Sequence, residues 1–204
     1  MICPLYLLAQ SSPEDPYLIL QDQTISFGDM HRQVIACERE LRSYPQEVPL
    51  AIDYTNSIAL ISWLIASART GHWIAIPSSK DPPQQRDHHL QQLSFYTPSL
   101  HWTLPPYLDD SIKPSSPSII QSPRRRWCML FTSGSSGSPK AVVHSFVGLW
   151  SSAEFSHRNL AFSTGHRWLQ SLFLWHIGGL MIPIRALYGG ASVVEKDPYI
   201  DLGS

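Results

Sequence analysis

The most informative stretch of this sequence is Leu130-Phe131-Thr132-Ser133-Gly134-Ser135-Ser136-Gly137-Ser138-Pro139-Lys140. It joins an apolar run to six small residues, four serines and two glycines, which are followed by a proline and a lysine. Small residues let backbone amides turn toward a polyanion, hydroxyls add hydrogen-bond donors, and the Lys140 ammonium adds a positive charge. The stretch therefore predicts a phosphate-binding loop between two strands, with a flexible Gly/Ser turn as the alternative.

Two other loop motifs do not fit the same residues. A Walker loop has Gly directly before its Lys and Ser or Thr after it, whereas Pro139 and Ala141 flank Lys140 here. A nucleophile elbow has the pattern Gly-x-Ser-x-Gly, but Ser136 is followed directly by Gly137. The loop is therefore neither that of an ordinary P-loop NTPase nor that of a serine hydrolase.

Composition indicates a folded chain with a core and excludes intrinsic disorder. Of the 204 residues, 43% are hydrophobic and 15% are charged, against about 25% charged in an average globular domain. The formal net charge of -1 gives no electrostatic reason to expect a nucleic acid or an anionic membrane as partner. Three arginines, Arg124, Arg125 and Arg126, lack an accompanying basic face with interleaved aromatic residues, so we interpret them as flanking a strand.

Cysteine and histidine spacing gives no sign of a disulfide framework or a metal site. Cys3, Cys37 and Cys128 are odd in number and far apart, and the histidines lack zinc-like spacing, so we assign no protein ligands to a metal. Residues 1–9 lack the basic start of a secretory signal, and the apolar run 58–68 is too short to span a bilayer. We therefore expect a soluble, cytoplasmic protein.

The hydrophobic pattern alternates between strands and helices. An apolar stripe from Phe27 to Leu41 predicts a helix ending before Pro45, and Asn56 and Ser145 are candidate caps of two further helices. The strand, helix and strand over 48–77 predict a parallel crossover. The predicted strands are 17–21, 24–27, 48–54, 72–77, 127–131, 141–144, 168–173 and 191–195, with 95–104 a weaker extended segment. The predicted helices are 27–41, 58–69, 82–93, 145–160 and 178–188, the last interrupted by Pro183.

One segment separates the chain into two parts. Residues 105–123 contain five prolines and five serines, which is too many breakers for a regular element. We interpret this segment as a linker or insertion between an α/β subdomain at 1–104 and an α/β segment at 124–204 that carries the loop.

The loop resembles the signature of the adenylate-forming superfamily, which includes acyl-CoA synthetases, luciferases and peptide-synthetase adenylation domains. An apolar residue followed by Thr-Ser-Gly-Ser/Thr-Ser/Thr-Gly-x-Pro-Lys is matched at every position from Thr132 to Lys140, although Ala141 stands where the family usually has Gly. The resemblance implies that the loop holds the β- and γ-phosphates of ATP. The residues to which it gives this role are Thr132, Ser133, Gly134, Ser135, Ser136, Gly137 and Lys140.

A second block, residues 172–180, resembles the aromatic-His-x-x-Gly segment of the family. The resemblance implies that His176, Gly178 and Gly179 line the acyl pocket and that His176 acts there with Lys140 in catalysis; on its own, His176 could be a packed core histidine. The run from His176 through Arg185 looks most similar to the o-succinylbenzoate:CoA ligases of menaquinone and phylloquinone synthesis. In those ligases an arginine near this position binds an acidic aromatic substrate, so Arg185 is a candidate, with a surface arginine as the alternative.

The resemblance implies a layered α/β fold, with sheets sandwiched by helices, as in the N-terminal part of the large domain of an adenylate-forming enzyme. It implies a reaction in which ATP with Mg²⁺ activates a carboxylic acid as an acyl-adenylate, and a thiol such as CoA displaces AMP. The later Tyr-Gly-x-Thr-Glu and Thr-Gly-Asp segments of the family do not occur in this sequence. We therefore expect an incomplete ligase that does not complete adenylation alone and that associates or aggregates, with a partner chain as a source of the missing half. The alternatives are a non-catalytic remnant or binding scaffold, and an unrelated nucleotide-binding protein with a chance match in the loop.

Overall fold

A computed structural model describes residues 1–52, 56–78, 117–132 and 140–195 of the chain. The predicted helix 82–93, the extended segment 95–104, most of 105–123 and loop residues 133–139 lie outside the described residues. The described helices are α1 (Pro4–Ser11), α2 (Phe27–Leu41), α3 (Ser57–Thr70), α4 (Phe146–Leu160) and α5 (Ile177–Gly189). The described strands are β1 (Pro16–Ile19), β2 (Thr24–Ser26), β3 (Leu50–Ala51), β4 (Ile74–Ile76), β5 (Arg126–Thr132), β6 (Lys140–Ser145), β7 (Arg167–Gln170) and β8 (Ser192–Glu195).

These strands form two sheets, with the orders β2-β1-β8-β7 and β3-β4-β5-β6. The hairpin of β1 and β2 is antiparallel, as predicted, and β3 pairs in parallel with β4, which confirms the predicted parallel crossover through α3. The layered α/β class is therefore confirmed. Each sheet contains strands from before and after residues 105–123. The proposed division at this segment therefore separates two stretches of sequence, whereas both sheets combine strands from the two stretches.

Helix starts follow the predicted capping chemistry. The Asn56 side chain accepts a hydrogen bond from the amide of Ala59 at 2.8 Å, and Ser145 Oγ accepts one from Gly148 at 3.2 Å. Helix α3 ends at Gly71, whose φ of +81° lies in the left-handed region that glycine adopts without strain. Local sequence thus determines where α3 and α4 begin.

The core is built around α3, which is buried along nearly its whole length. It packs against α2 on one side and against β5 on another, where Trp127 Nε1 donates a hydrogen bond to the Leu64 carbonyl at 2.8 Å. The sequence analysis missed α1, in which Pro4 occupies the first turn and Leu5 and Ala9 are buried. No helix in the described part of the chain combines the length and the apolar character that crossing a membrane requires.

Three predictions of element limits were wrong in part. Residue Phe27 begins α2 and does not end a strand, and β7 stops at Gln170. Helix α5 continues through Pro183. A proline has no N–H to offer the carbonyl four residues earlier, and here the Gln170 side chain donates to that Gly179 oxygen at 3.1 Å. The missing helical hydrogen bond is thereby replaced, and the helix is not interrupted.

Candidate functional site

Residues Thr132 and Lys140, the two ends of the matched loop motif, lie side by side. They are cross-strand partners in the antiparallel pair β5 and β6, and Thr132 Oγ1 donates to the Lys140 carbonyl at 3.3 Å. Both residues are exposed, and within the described part of the chain the Lys140 ammonium has no carboxylate partner. A free cation and a hydroxyl therefore lie together at one end of the sheet.

This end is the carboxyl end of the parallel strands. Strand β5 runs parallel to β4, with Ile76 opposite Leu130, and Thr132 is the last residue of β5. In open α/β sheets, ligands bind outside the carboxyl ends of the parallel strands. The position of Thr132 and Lys140 is therefore the one expected for a ligand site. Residues 133–137, which lie between them in the sequence, stay predicted phosphate ligands.

The side chain of His176 is exposed at the start of α5. Its backbone carbonyl accepts the hydrogen bond from Leu180 at 2.9 Å as the N-cap of the helix, and its ring makes no capping hydrogen bond. The preceding Trp175 is buried and stacks on Phe173 with ring centroids 4.2 Å apart. The alternative of a packed core histidine is therefore wrong, and the imidazole is open to a ligand.

Apolar side chains are exposed in sequence on both sides of this histidine. Leu172, Phe173 and Ile177 have 53%, 48% and 42% of their surface exposed. Exposed large apolar residues in one short segment indicate a surface that contacts another molecule or another part of a protein. The surroundings of His176 thus suit an apolar group.

A close backbone approach seats α5 on the turn before it. A Cβ atom on Gly179 would lie against the carbonyl oxygen of Phe173, 2.6 Å from its carbonyl carbon and 2.7 Å from the Leu172 oxygen. Backbone atoms at that separation leave no room for any side chain at this position. A Cβ on Gly178 would meet only the Leu172 Cδ1 atom, at 3.0 Å. Gly179 therefore fixes the position of the helix start that bears His176, whereas pocket lining by both glycines stays a prediction.

One positioning residue, Gln170, was not found by sequence reasoning. Its side-chain amide donates to the Leu172 carbonyl at 2.6 Å and to the Gly179 carbonyl at 3.1 Å, so it ties the end of β7 to the start of α5. The signal in the sequence is Pro183, because a helical proline leaves an earlier carbonyl without its donor. The identity of the replacement donor depends on the tertiary structure.

The candidate Arg185 is half-buried, and both its predicted role in substrate binding and the alternative of a surface arginine stay open. Its guanidinium carbon lies 5.8 Å from the ring centroid of Trp168, within cation–π range. Its Nε is buried and has no hydrogen-bond partner among the described residues. Arg185 follows His176 by nine positions in the sequence, or about 13 Å along a helix axis. His176 thus lies at the start of α5 and Arg185 more than halfway along it.

The described residues offer no group of three His, Cys, Asp or Glu side chains able to hold a metal. Cys128 in β5 is buried, and desolvation raises the pKa of its thiol to about 12. The Cys128 thiol therefore stays protonated and unreactive at neutral pH. Burial lowers the pKa of His144 on the neighbouring strand β6.

Comparison with known proteins gives consistent similarities. The protein-family model for the AMP-binding enzyme matches residues 74–201, more than half of the chain. The 2-succinylbenzoate–CoA ligase of Escherichia coli is 40% identical over 75 residues, which are 37% of this chain and 17% of that protein.

Solved structures show the same fold. The o-succinylbenzoate CoA synthetase of Bacillus subtilis, bound to a product analogue, superposes with a TM-score of 0.77 at 24% identity over 98% of this chain and 45% of that one. Its complex with ATP and magnesium ion superposes with a TM-score of 0.75 at 22% identity over 99% of this chain and 59% of that one. The chain thus spans about half the length of these enzymes.

Proposed function

The chain belongs to the AMP-binding enzyme family, and from this we propose that it forms the ATP-binding part of an adenylate-forming acid:CoA ligase. In the proposed reaction a carboxylate oxygen of the acid attacks the α-phosphorus of ATP, and pyrophosphate leaves. The sulfur of CoA then attacks the acyl carbon of the adenylate, forming the thioester and releasing AMP. The similarity to 2-succinylbenzoate–CoA ligases supports an aromatic dicarboxylic acid of menaquinone synthesis as the substrate.

The pairing of Thr132 with Lys140 at the carboxyl end of β5 carries the ATP part of this proposal. The Lys140 ammonium would pair with the β- and γ-phosphates, and the amides and hydroxyls of residues 133–137 would donate to the phosphate oxygens. Mg²⁺ commonly keeps phosphate oxygens and waters as ligands, so it would enter with ATP, where it neutralises phosphate charge. No residue of this chain is assigned to it.

The acid would bind along α5. An exposed imidazole with exposed apolar neighbours lies at its start, and a half-buried guanidinium with an unpartnered Nε lies farther along. The ring of an aromatic acid would contact the apolar residues near His176, Gly178 and Gly179, and Arg185 would pair with a carboxylate of the substrate. This division of roles supports a substrate that is both aromatic and acidic.

Turnover by this chain alone is not part of the proposal. Because the chain spans about half of the related enzymes, we propose that the remaining half comes from further sequence or a partner chain. The competing candidate is a scaffold that binds nucleotide without turnover. The free, buried state of all three cysteines is compatible with a reducing cytoplasm, where we place the protein.

The test is calorimetric titration of the full chain with ATP and Mg²⁺, comparing Lys140→Ala with Arg39→Ala, which removes an exposed cation on α2. Loss of a charged hydrogen-bond partner costs about 1.5–3 kcal/mol, so binding should weaken about tenfold or more in Lys140→Ala. The Arg39 variant should bind like the parent. Absence of binding by the folded parent, or equal affinity in all three proteins, would contradict the proposed ATP site.

A further inference from the structure

A polar cleft lies at the opposite end of β5 from Thr132. It has a volume of about 460 Å³, and its lining includes Trp73, Glu47 and the three consecutive arginines Arg124, Arg125 and Arg126. Strand β5 begins at Arg126 and ends at Thr132, so the cleft and the loop motif are separated by about 20 Å at ~3.3 Å per residue. The cleft is therefore distinct from the proposed ATP site.

The three arginines are presented by a turn that is held at two points. The Arg125 amide donates to the Ser122 carbonyl at 2.8 Å, and the Pro123 carbonyl accepts from Val147 in α4 at 2.9 Å. Ser122 has a φ of +44°, a left-handed conformation that serine seldom adopts. The arginines thus extend from a fixed turn.

Positive charge dominates the cleft. All three arginines are exposed, and among the described residues none of their side chains pairs with a carboxylate. The Arg126 guanidinium lies 4.5 Å above the ring of Trp73, which fixes its plane while leaving its N–H groups at the edge available. Among the described residues that line the cleft, Glu47 is the one acidic residue. The lining therefore carries an excess of positive charge in a chain whose formal net charge is -1.

We infer that this cleft binds a di- or triphosphate group. One arginine guanidinium can donate two parallel hydrogen bonds to phosphate oxygens, and several guanidinium groups in one cleft favour an anion with more than one phosphoryl group. Trp73 is only 3% exposed and is covered by Arg126, so it offers no face on which a nucleobase could stack. Recognition is of the phosphate charge and not of a base. The cleft volume lies within the range of small-molecule sites.

The experiment is calorimetric titration with inorganic pyrophosphate in a Lys140→Ala background, which removes the cation of the ATP site. Replacing Arg124, Arg125 and Arg126 together by Gln should weaken pyrophosphate binding about tenfold or more. Glu47→Gln, which removes the opposing charge, should tighten it about two- to threefold. ATP should bind as tightly as inorganic tripolyphosphate, because the cleft recognises the phosphate group whether it is free or part of a nucleotide. Adenosine, which has no phosphate, should not bind.

Three outcomes would overturn the inference. These are absence of pyrophosphate binding by the folded Lys140→Ala protein, undiminished binding by the triple Gln variant, and ATP affinity more than about tenfold above that of tripolyphosphate, which would indicate base recognition. If the triple variant loses its cooperative thermal transition, the inference is tested by Glu47→Gln instead. Unchanged pyrophosphate affinity in Glu47→Gln would also overturn it. The proposed function is tested separately by comparing ATP binding with and without Lys140→Ala in the triple Gln variant, in which the cleft no longer contributes to the binding.

Discussion

Replacement of Gly179 by alanine should distort the turn that carries His176. The added Cβ would lie 2.6 Å from the Phe173 carbonyl carbon, against about 3.5 Å for an ordinary carbon contact, so the backbone must move by about 1 Å. Overpacking of this kind costs about 1–3 kcal/mol, and the gain in helix propensity from Gly to Ala offsets about 1 kcal/mol of it. Because the contact is with backbone atoms and not with a flexible side chain, the cost lies at the upper end of that range, and we expect the free energy of unfolding to fall by about 2 kcal/mol.

The neighbouring Gly178 provides a matched control in the same turn of helix. Its Cβ would meet only the end of the flexible Leu172 side chain, at 3.0 Å, which can move aside. Gly178→Ala should therefore leave stability unchanged or raise it by up to about 1 kcal/mol. Urea unfolding followed by circular dichroism measures both variants. Equal effects of the two substitutions, or a neutral Gly179→Ala, would refute the argument that the backbone contact requires glycine.

Two further predictions concern the buried contacts between α2 and α3. Burial, aided by the cations of Arg69 and Arg32, lowers the pKa of His31 from 6.5 to about 4. Between these two pH values the unfolded chain binds a proton that the native state lacks. The free energy of unfolding should therefore decrease as the pH is lowered from 6.5 to 4. This loss of stability should reach at most about 3 kcal/mol by pH 4. Urea unfolding at several pH values should show that the free energy of unfolding depends less on pH in His31→Leu than in the parent, and an identical dependence would contradict this. Glu38 pairs at 2.9 Å with Arg69, whose side chain is 2% exposed, so Glu38→Gln leaves a buried charge unpaired and should cost about 3 kcal/mol. The double variant Glu38→Met/Arg69→Met should recover most of that loss in thermal unfolding, and a loss equal to that of Glu38→Gln alone would count against the interpretation.

The parts of the fold that sequence analysis predicted are those fixed by local chemistry. Asn56 and Ser145 cap helices because their side chains reach amides only three residues away. The parallel crossover follows from strand and helix lengths within one short segment. Helix α1 was missed because it is only eight residues long, and a helix that short depends on tertiary packing more than on propensity. Continuation through Pro183 was missed for a related reason, since its replacement donor comes from Gln170 on another element.

The candidate site divides in the same way. A motif of consecutive residues predicted that Thr132 and Lys140 belong together, and antiparallel pairing of β5 with β6 makes them neighbours. By contrast, Gln170 reaches the start of α5 only through the tertiary arrangement of β7 and the helix. Residues that act through positions distant in sequence have no periodic signal, so only the folded structure identifies them.

Strand β5 connects these two cases. Its middle is buried, from Trp127 to Leu130, whereas Arg126 at one end and Thr132 at the other are exposed. Sequence order alone relates Thr132 to Lys140, but the arginine cleft exists only because Glu47 and Trp73, which precede β3 and β4, lie against the other end of the strand. A rigid buried strand holds both ends at a fixed separation without a contact between them. Substitution of the arginines should therefore leave ATP binding at the other end intact, because charges about 20 Å apart across a solvated surface are screened beyond the Debye length of about 8–10 Å.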